Sequence, residues 1–438
     1  MPSTSQPSPP AQPATWAVLL AGALTLAVAM GIGRFAFTPL LPLMMRDGQL
    51  DAAGGAELAA ANYLGYLVGA LSAGRLAGQP LHLVRWCLPA IAVLTAAAGL
   101  VHSPLAWSLL RFGAGVGSAW AMVGISAWSL TLLAQRGQSG LGGLVFTGVG
   151  AGITLAGLMV WWAVAASASA LWLLFGVAAV LLSGLVAWLV RGATGPGSGS
   201  GSTTANTAVS AAASTAASTP ISSKTSRQPS PNTPLPSGSW PLVICYATFG
   251  FGYILPATFL PAMARALLDD PRSFGLVWPV FGLAALASVL LTRRWVAAWP
   301  PVRVWAVCQF LMAAGVALPL LSHSAWAVAL AALLVGGTFV LATVIAMQLA
   351  RALAPQQPAP LLARMTAAFA LGQMAGPLLV RALAPVQLHA PWQPPGAAAL
   401  GAIEITLACA TLLLLATAAW LWRGPQAGFS RPAAAPQG

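Results

Sequence analysis

The stretch GIGRFAFTPLLPLMMRDGQLD, residues 31–51, closes an apolar run that begins at Trp16. It carries an arginine, Arg34, with Gly31 and Gly33 just before it and Pro39 and Pro42 just after. About twenty apolar residues is the length that crosses a bilayer. An arginine at the centre of such a span costs roughly 2.5–3.5 kcal/mol on insertion scales, so one found there marks a function or a partner. The frame then recurs. Residues 250–270 read GFGYILPATFLPAMARALLDD, and seven of the 21 positions are identical at an offset of 219. The matches are Gly31/Gly250, Gly33/Gly252, Leu41/Leu260, Pro42/Pro261, Met44/Met263, Arg46/Arg265 and Asp51/Asp270, and Arg75/Arg294 continues them. Arg34 itself is matched by Tyr253.

Composition admits few fold classes. The 438 residues are 58% hydrophobic and 6% charged, whereas a soluble domain carries about 25% charged residues. So little charge cannot cover a water-facing globule. The ten-residue alternating segments of an outer-membrane barrel are absent from the sequence. The chain reads as an all-α membrane protein with twelve transmembrane helices. Spans are expected at about 16–40, 55–77, 84–102, 105–133, 140–164, 168–190, 240–264, 273–293, 302–321, 325–351, 360–383 and 397–422.

Residues 1–15, rich in Pro, Ser and Gln, read as a disordered tail without the basic n-region of a secretory signal, so the first span is expected to remain. Residues 191–239, built from Gly, Ser, Thr, Ala and Pro, cannot bury a core and read as a disordered linker. The linker separates two six-span halves, 16–190 and 240–422, and 423–438 form a second tail. Two six-span halves in parallel repeat are one architecture of secondary transporters.

The net charge of +13 sorts by loop instead of gathering on one face, which argues against a nucleic-acid partner. Put the N-terminus in the cytoplasm, and thirteen basic residues fall on the inside: Arg75, Arg85, Arg136, Arg191, Lys224, Arg227, Arg293, Arg294, Arg303, Arg351, Arg364, Arg423 and Arg431. Only Arg46, Arg265, Arg272 and Arg381 fall outside. That bias places both termini, and the linker, in the cytoplasm, with the chain in the cytoplasmic membrane. Trp107, Trp188, Trp240, Trp392 and Trp422 stand at span ends, as an interfacial belt requires. Cys87, Cys245, Cys308 and Cys409 are scattered, with no metal-ligand spacing. No metal or cofactor is expected.

Few polar groups remain to carry chemistry. Arg34 is expected either to pair with Glu57, at similar depth in span two, or to face a central cavity. The glycines and prolines around it predict a broken or kinked helix, which membrane depth tolerates only against protein or a water-filled cavity. Arg111 in span four reads either as an arginine bonded to neighbouring helix carbonyls or as a functional group. Asn62 and Tyr66 share one face of span two, lining a path or bonding a neighbour. Tyr253 takes the place of Arg34 in the second repeat, and Gln373 in span eleven is glue or ligand contact. Glu57 and Glu404 are the acids that could carry a coupling proton if burial raises a pKa. Gly148 and Gly152 in span five echo Gly372 and Gly376 in span eleven, a spacing that lets helices approach closely.

With these residues in view, the chain resembles the major facilitator superfamily. Within it, GIGRFAFTPLLPLMM, ANYLGYLVGA (61–70) and TAAFALGQMAGP (366–377) resemble the YbfB/YjiJ-like transporters. The resemblance covers nearly the whole chain except the tails and linker. It implies the major facilitator fold, alternating access and a small-molecule substrate. The fourth-span pattern of Arg followed by Gly four residues on is present as Arg111 and Gly115, which by resemblance adds proton coupling to the readings of Arg111. GRLAG (74–78) has Gly78 where the superfamily usually has an aspartate, and a GxxxGP stands in span eleven instead of span five.

The leading expectation is a proton-coupled secondary transporter, monomeric in the lipid bilayer, for an anionic or amphiphilic solute. Its substrate-facing residues are Arg34, Asn62, Tyr66, Arg111, Tyr253 and Gln373, and its proton-coupling candidates are Glu57, Arg111 and Glu404. Arginine recognises carboxylate and phosphate by paired hydrogen bonds, whereas a cationic substrate would call for an acid in the path. The alternative is a receptor or scaffold built on a transporter fold. An enzyme would need a nucleophile–base pair or metal ligands, and His82, His102, His323 and His389 are scattered at helix ends.

Overall fold

A computed structural model describes residues 13–76, 79–191, 239–267, 275–295, 299–354, 358–386 and 401–423. The chain runs through α1 (Thr15–Arg46), α2 (Ala52–Leu76), α3 (Pro80–Ala98), α4 (Pro104–Gln135), α5 (Gly140–Trp162) and α6 (Ala168–Leu189). After residue 238 follow α7 (Trp240–Leu267), α8 (Val277–Trp295), α9 (Pro301–Leu321), α10 (Ala325–Leu353), α11 (Pro358–Ala382) and α12 (Ala402–Arg423). No strand occurs among the described residues. Residues 1–12, residues 192–238 of the linker, residues 424–438, Asp269, Asp270 and Trp392 lie outside them.

Local chemistry sets the helix ends. Proline opens α3, α4, α9 and α11, where its missing N–H is not needed. Ser167 and Ser324 cap α6 and α10, each accepting from a backbone N–H at 3.2 Å. α1 and α4 stop at Gly48 and Gly137, the two residues with positive φ among those described. At each, the following N–H closes back onto a carbonyl of the last turn, Gln49 to Met44 and Gln138 to Leu133.

Nine helices are long and apolar enough to cross a membrane among the described residues. α2 and α11 fall outside that set, and α8 counts as an apolar helix over Val277–Leu290. α2 packs on α11 and α8 packs on α5. Polarity is inverted relative to a soluble protein: Leu181 is 69% and Trp326 85% exposed, while Arg34, Asn62, Arg111, Gln309 and Gln373 are buried. Exposed bulky apolar side chains around buried polar ones are what a lipid-facing exterior demands. Trp188, Trp240 and Trp422 are exposed at helix ends. Trp107 is not part of such a belt: it is buried, and its indole N–H bonds the Ala98 carbonyl at 2.9 Å.

The packing itself repeats. α2–α4, α3–α4, α3–α6 and α1–α5 contacts have counterparts in α8–α10, α9–α10, α9–α12 and α7–α11. The cross-contacts α2–α11 and α5–α8 exchange under the same operation, and α1–α7 maps onto itself. One hydrogen bond locates the axis. Thr38 Oγ1 donates to the Ala257 carbonyl at 2.7 Å, and the two residues are 219 positions apart, the offset of the sequence repeat. A residue touches its own repeat mate only where the relating axis passes between them. The axis therefore crosses α1 and α7 one turn beyond Arg34 and Tyr253.

Candidate functional site

The site grows from a local irregularity in α1. Helix α1 does not break at its prolines. It runs as α-helix over Thr15–Leu26, widens to a π-helix over Ala27–Phe35, and resumes as α-helix over Phe37–Arg46. The widening falls on the two glycines, and Pro39 lands in the first turn of the next α segment, where a proline costs little. A π stretch misaligns carbonyls, and three of them are taken by polar side chains of neighbouring helices. Ser118 Oγ donates to Ala29 O at 2.6 Å, Arg111 Nη1 to Gly33 O at 3.0 Å, and Arg111 Nη2 to Arg34 O at 2.8 Å. Arg111 and Ser118 are seven apart on α4 and so share a face.

Asn62 joins this framework. Its Nδ2 donates to Arg111 O at 2.8 Å and lies 3.4 Å from Gly33 O. Gly115 makes the reach possible, because a Cβ there would collide with the Asn62 backbone. Arg111 and Asn62 thus hold the backbone that presents Arg34, and of the alternatives for Arg111 the helix-carbonyl geometry is the one present.

Arg34 projects from this backbone toward the axis, 3% exposed. Its Nη2 donates to Gln373 Oε1 of α11 at 2.6 Å, and Gln373 Nε2 donates in turn to the Tyr253 hydroxyl of α7. The repeat mates Arg34 and Tyr253 therefore face one another across the axis with a carboxamide between them. The guanidinium lies over Tyr66 at 4.2 Å and Tyr63 at 5.1 Å. Tyr63 also meets Thr258 at 2.9 Å, another contact from α2 to α7. On the far side, the Tyr253 ring stacks between Phe339 (5.4 Å, 3°) and Phe369 (5.6 Å, 5°), with Tyr246 on Phe369 at 4.8 Å. Among the described residues no carboxylate pairs with Arg34 or Arg111, and Arg34 Nε is buried with no hydrogen-bond partner.

The structure thus brings Arg34, Tyr66, Tyr253 and Gln373 together, with Asn62 and Arg111 directly behind them. It does not bring Glu57 to Arg34. Glu57 accepts instead from Arg381 Nε of α11 at 2.5 Å, half-exposed at the end of the bundle where α1 finishes. Glu404 sits in the first turn of α12, where a carboxylate suits the helix dipole, rather than deeper along the helix.

The same bundle end carries further ties. Arg265 Nη1 of α7 donates to Pro42 O of α1 at 3.2 Å. Arg46 donates to Val164 O and Ala166 O at 2.8 and 2.6 Å, and Asp47 accepts from Arg46 and from the Ala168 N–H, each at 2.7 Å. The Arg46 guanidinium, aided by that N–H and opposed by burial, holds the Asp47 carboxyl below its ordinary range.

Tyr63, Ser118, Thr38 and Thr258 were not expected from the sequence. One signal was available for Tyr63: the chain has four tyrosines in all, and every one lies at this site or on its aromatic wall. The glycine echo also shifts. Gly152 packs on Ala27 and Gly31, whereas Gly372 meets Ala247 and Phe251, one residue beyond the repeat mates of Ala27 and Gly31. Gly372 therefore answers Gly152, not Gly148.

Comparison with known proteins agrees with this geometry. The family profile described as "Uncharacterised MFS-type transporter YbfB" matches residues 26–413. Among curated protein sequences none matches. Two solved structures of a bacterial homolog to the human lysosomal transporter Spinster, both inward-facing, share the fold. The occupied form has a TM-score of 0.64 at 15% identity, covering 97% of this chain and 100% of that one. The unoccupied form has a TM-score of 0.63 at 14% identity, covering 94% and 97%. With its profile match spanning most of the sequence, the chain belongs to the YbfB family of major facilitator transporters, multi-pass membrane proteins of solute transport.

Proposed function

We propose that this protein is a secondary transporter that carries a small organic anion across the cytoplasmic membrane by alternating access. In this reading all twelve helices span the bilayer and both termini face the cytoplasm. Residues 16–190 and 240–422 form the two moving halves, and the Arg34 site lies on the axis between them. One observation carries the reading: a buried, membrane-embedded arginine with no carboxylate partner among the described residues, reaching from one half to the other. An ionised group in that setting calls for a counter-charge, and a bound anion supplies it.

The test is uptake of labelled organic anions into proteoliposomes. Arg34→Ala should abolish uptake while membrane insertion and folding persist. Full anion uptake by Arg34→Ala, or uptake of cations alone by the wild type, would sink the reading.

The proposal extends to proton coupling through Glu57. Its carboxylate joins α2 to α11, so a proton there would release a tie between the halves. Arg111, spent on backbone carbonyls, and Glu404, in the first turn of α12, are less well placed. Glu57→Gln should uncouple uptake from an imposed pH gradient. Uptake by Glu57→Gln that still follows the gradient would remove Glu57 from the coupling.

A further inference from the structure

The way Gln373 occupies Arg34 narrows the ligand class. A guanidinium presents its Nε–H and the adjacent Nη2–H side by side, a fork matched to the two oxygens of a carboxylate. In this structure Nη2 holds the single oxygen of the Gln373 carboxamide, and Nε holds nothing although it is fully buried. A one-oxygen group sits in a two-oxygen fork.

The surroundings add charge and shape. Arg111 is the other arginine in contact with this framework, and both of its terminal nitrogens are bonded to α1 carbonyls. Arg111 keeps its charge but spends both terminal nitrogens on carbonyls, so Arg34 is the guanidinium whose fork is open to a ligand. The second group of a dianion would find no second open fork beside Arg34, and a buried charge without direct hydrogen-bond partners is costly. The remaining walls are flat and apolar: Tyr66 on one side, and Tyr253, Phe339, Phe369 and Tyr246 on the other. Phe369 is partly exposed, so its ring is not wholly committed to its neighbours. Stacked rings of this kind favour another flat ring.

We infer, resting on the anion-transport reading above, that the ligand is a monocarboxylate with a flat, aromatic body. Its two oxygens take Nε and Nη2 of Arg34 and expel the Gln373 carboxamide, which is the ligand's stand-in when the site is empty. Expulsion has a mechanical result. The Arg34–Gln373–Tyr253 chain ties α1 to α11 and α7, so binding removes a bridge between the repeats at the axis on which they would move. Occupancy is thereby linked to reorientation.

The experiment is ligand binding to purified full-length protein in detergent, followed by calorimetry and by melting temperature. The probes are benzoate, acetate, phthalate, phenyl phosphate and benzamide. Benzoate should bind and raise the melting temperature, and the other four should bind more weakly. Gln373→Glu places an internal carboxylate on the fork. It should weaken benzoate by on the order of 10- to 100-fold, the equivalent of one charge-assisted hydrogen bond. Gln373→Leu removes the competitor and should bind benzoate at least as tightly as the wild type.

Undiminished benzoate binding by Gln373→Glu would overturn the proposal. So would loss in Gln373→Leu as complete as in Arg34→Lys, since Gln373 would then be a ligand contact. Phthalate or phenyl phosphate binding better than benzoate, and depending on Arg34, would refute the monocarboxylate while leaving the anion reading intact. Binding confined to cations or benzamide would overturn both.

Discussion

A close backbone-to-backbone helix contact near the site offers a direct test. Gly31 lies one turn before Arg34, and a Cβ built on it would sit 2.5 Å from both Cα and the carbonyl carbon of Gly152. Both partners are backbone, so no side chain can swing aside. Tolerated contact begins at 3.0 Å and ordinary contact at 3.4 Å, so Gly31→Ala must push α1 and α5 apart by about 0.5–0.9 Å. Overpacking of this kind costs typically ~1–3 kcal/mol. It outweighs the gain of about 1 kcal/mol that alanine brings over glycine within a helix. Carried one turn along the helix, such a shift stretches the 2.6 Å Arg34–Gln373 bond to as much as about 3.5 Å, beyond the N–H···O range. The control is Gly337→Ala, whose Cβ would meet Ala284 Cβ at 4.0 Å. There the propensity gain is unopposed. The assay is thermal melting of both purified variants in detergent beside the wild type. Gly31→Ala should melt lower and Gly337→Ala no lower. A Gly31→Ala protein that melts with the wild type would show that α1 and α5 do not approach as closely as described.

Three further outcomes are expected. Arg111→Met leaves the Gly33 and Arg34 carbonyls without their partner, a loss of about 1–3 kcal/mol for each. Arg111→Lys should recover part of it, and melting that stays unchanged in both variants would refute the stapling role. The Glu57–Arg381 pair is half-exposed, so Arg381→Ala should leave melting unchanged. It should instead increase labelling of a cysteine placed at Tyr63 from the α1-finishing side; unaltered labelling would show that the pair is not a tie. The Asp47 carboxyl is held below its unfolded value of 3.8. Its contribution to stability is therefore full above pH 3.8 and fades as pH falls through the lower folded value. Asp47→Asn should melt lower than the wild type at pH 7, and the gap should close below that window. A gap independent of pH would exclude the carboxylate as its cause.

Much of the fold was legible because lipid imposes a coarse code. Length and apolarity mark where the chain can cross, and the offset repeat announced the twofold packing that Thr38 and Ala257 display. The fine structure of α1 was not legible. Glycine and proline signal that a helix will not be regular, but they do not say whether it breaks or widens. The widening depends on donors from α4 and α2 that come close only in the fold. For the same reason Arg34, Tyr253 and Gln373 could be named singly, by their cost in a span or by their place in the repeat. Their linkage needed the α1–α7–α11 crossing. A Glu57 pair was one of two expectations for Arg34, and it rested on depth alone. Its azimuth on α2, which the sequence leaves open, turns it to Arg381.

The uncompensated positive charge on the axis also has an electrical meaning. Neither Arg34 nor Arg111 has a carboxylate beside it among the described residues, so on the proposed reading a bound monoanion lowers the positive charge of the centre by one. The loaded carrier then moves one charge fewer at the site than the empty carrier does on its return. A full elementary charge moved across 100 mV corresponds to about 2.3 kcal/mol. That is enough to make the return step several-fold more responsive to voltage than the loaded step. Transient currents from the ligand-free protein on a supported membrane would display this, and saturating benzoate should reduce them. The membrane potential would then act most strongly on the half of the cycle in which nothing is carried.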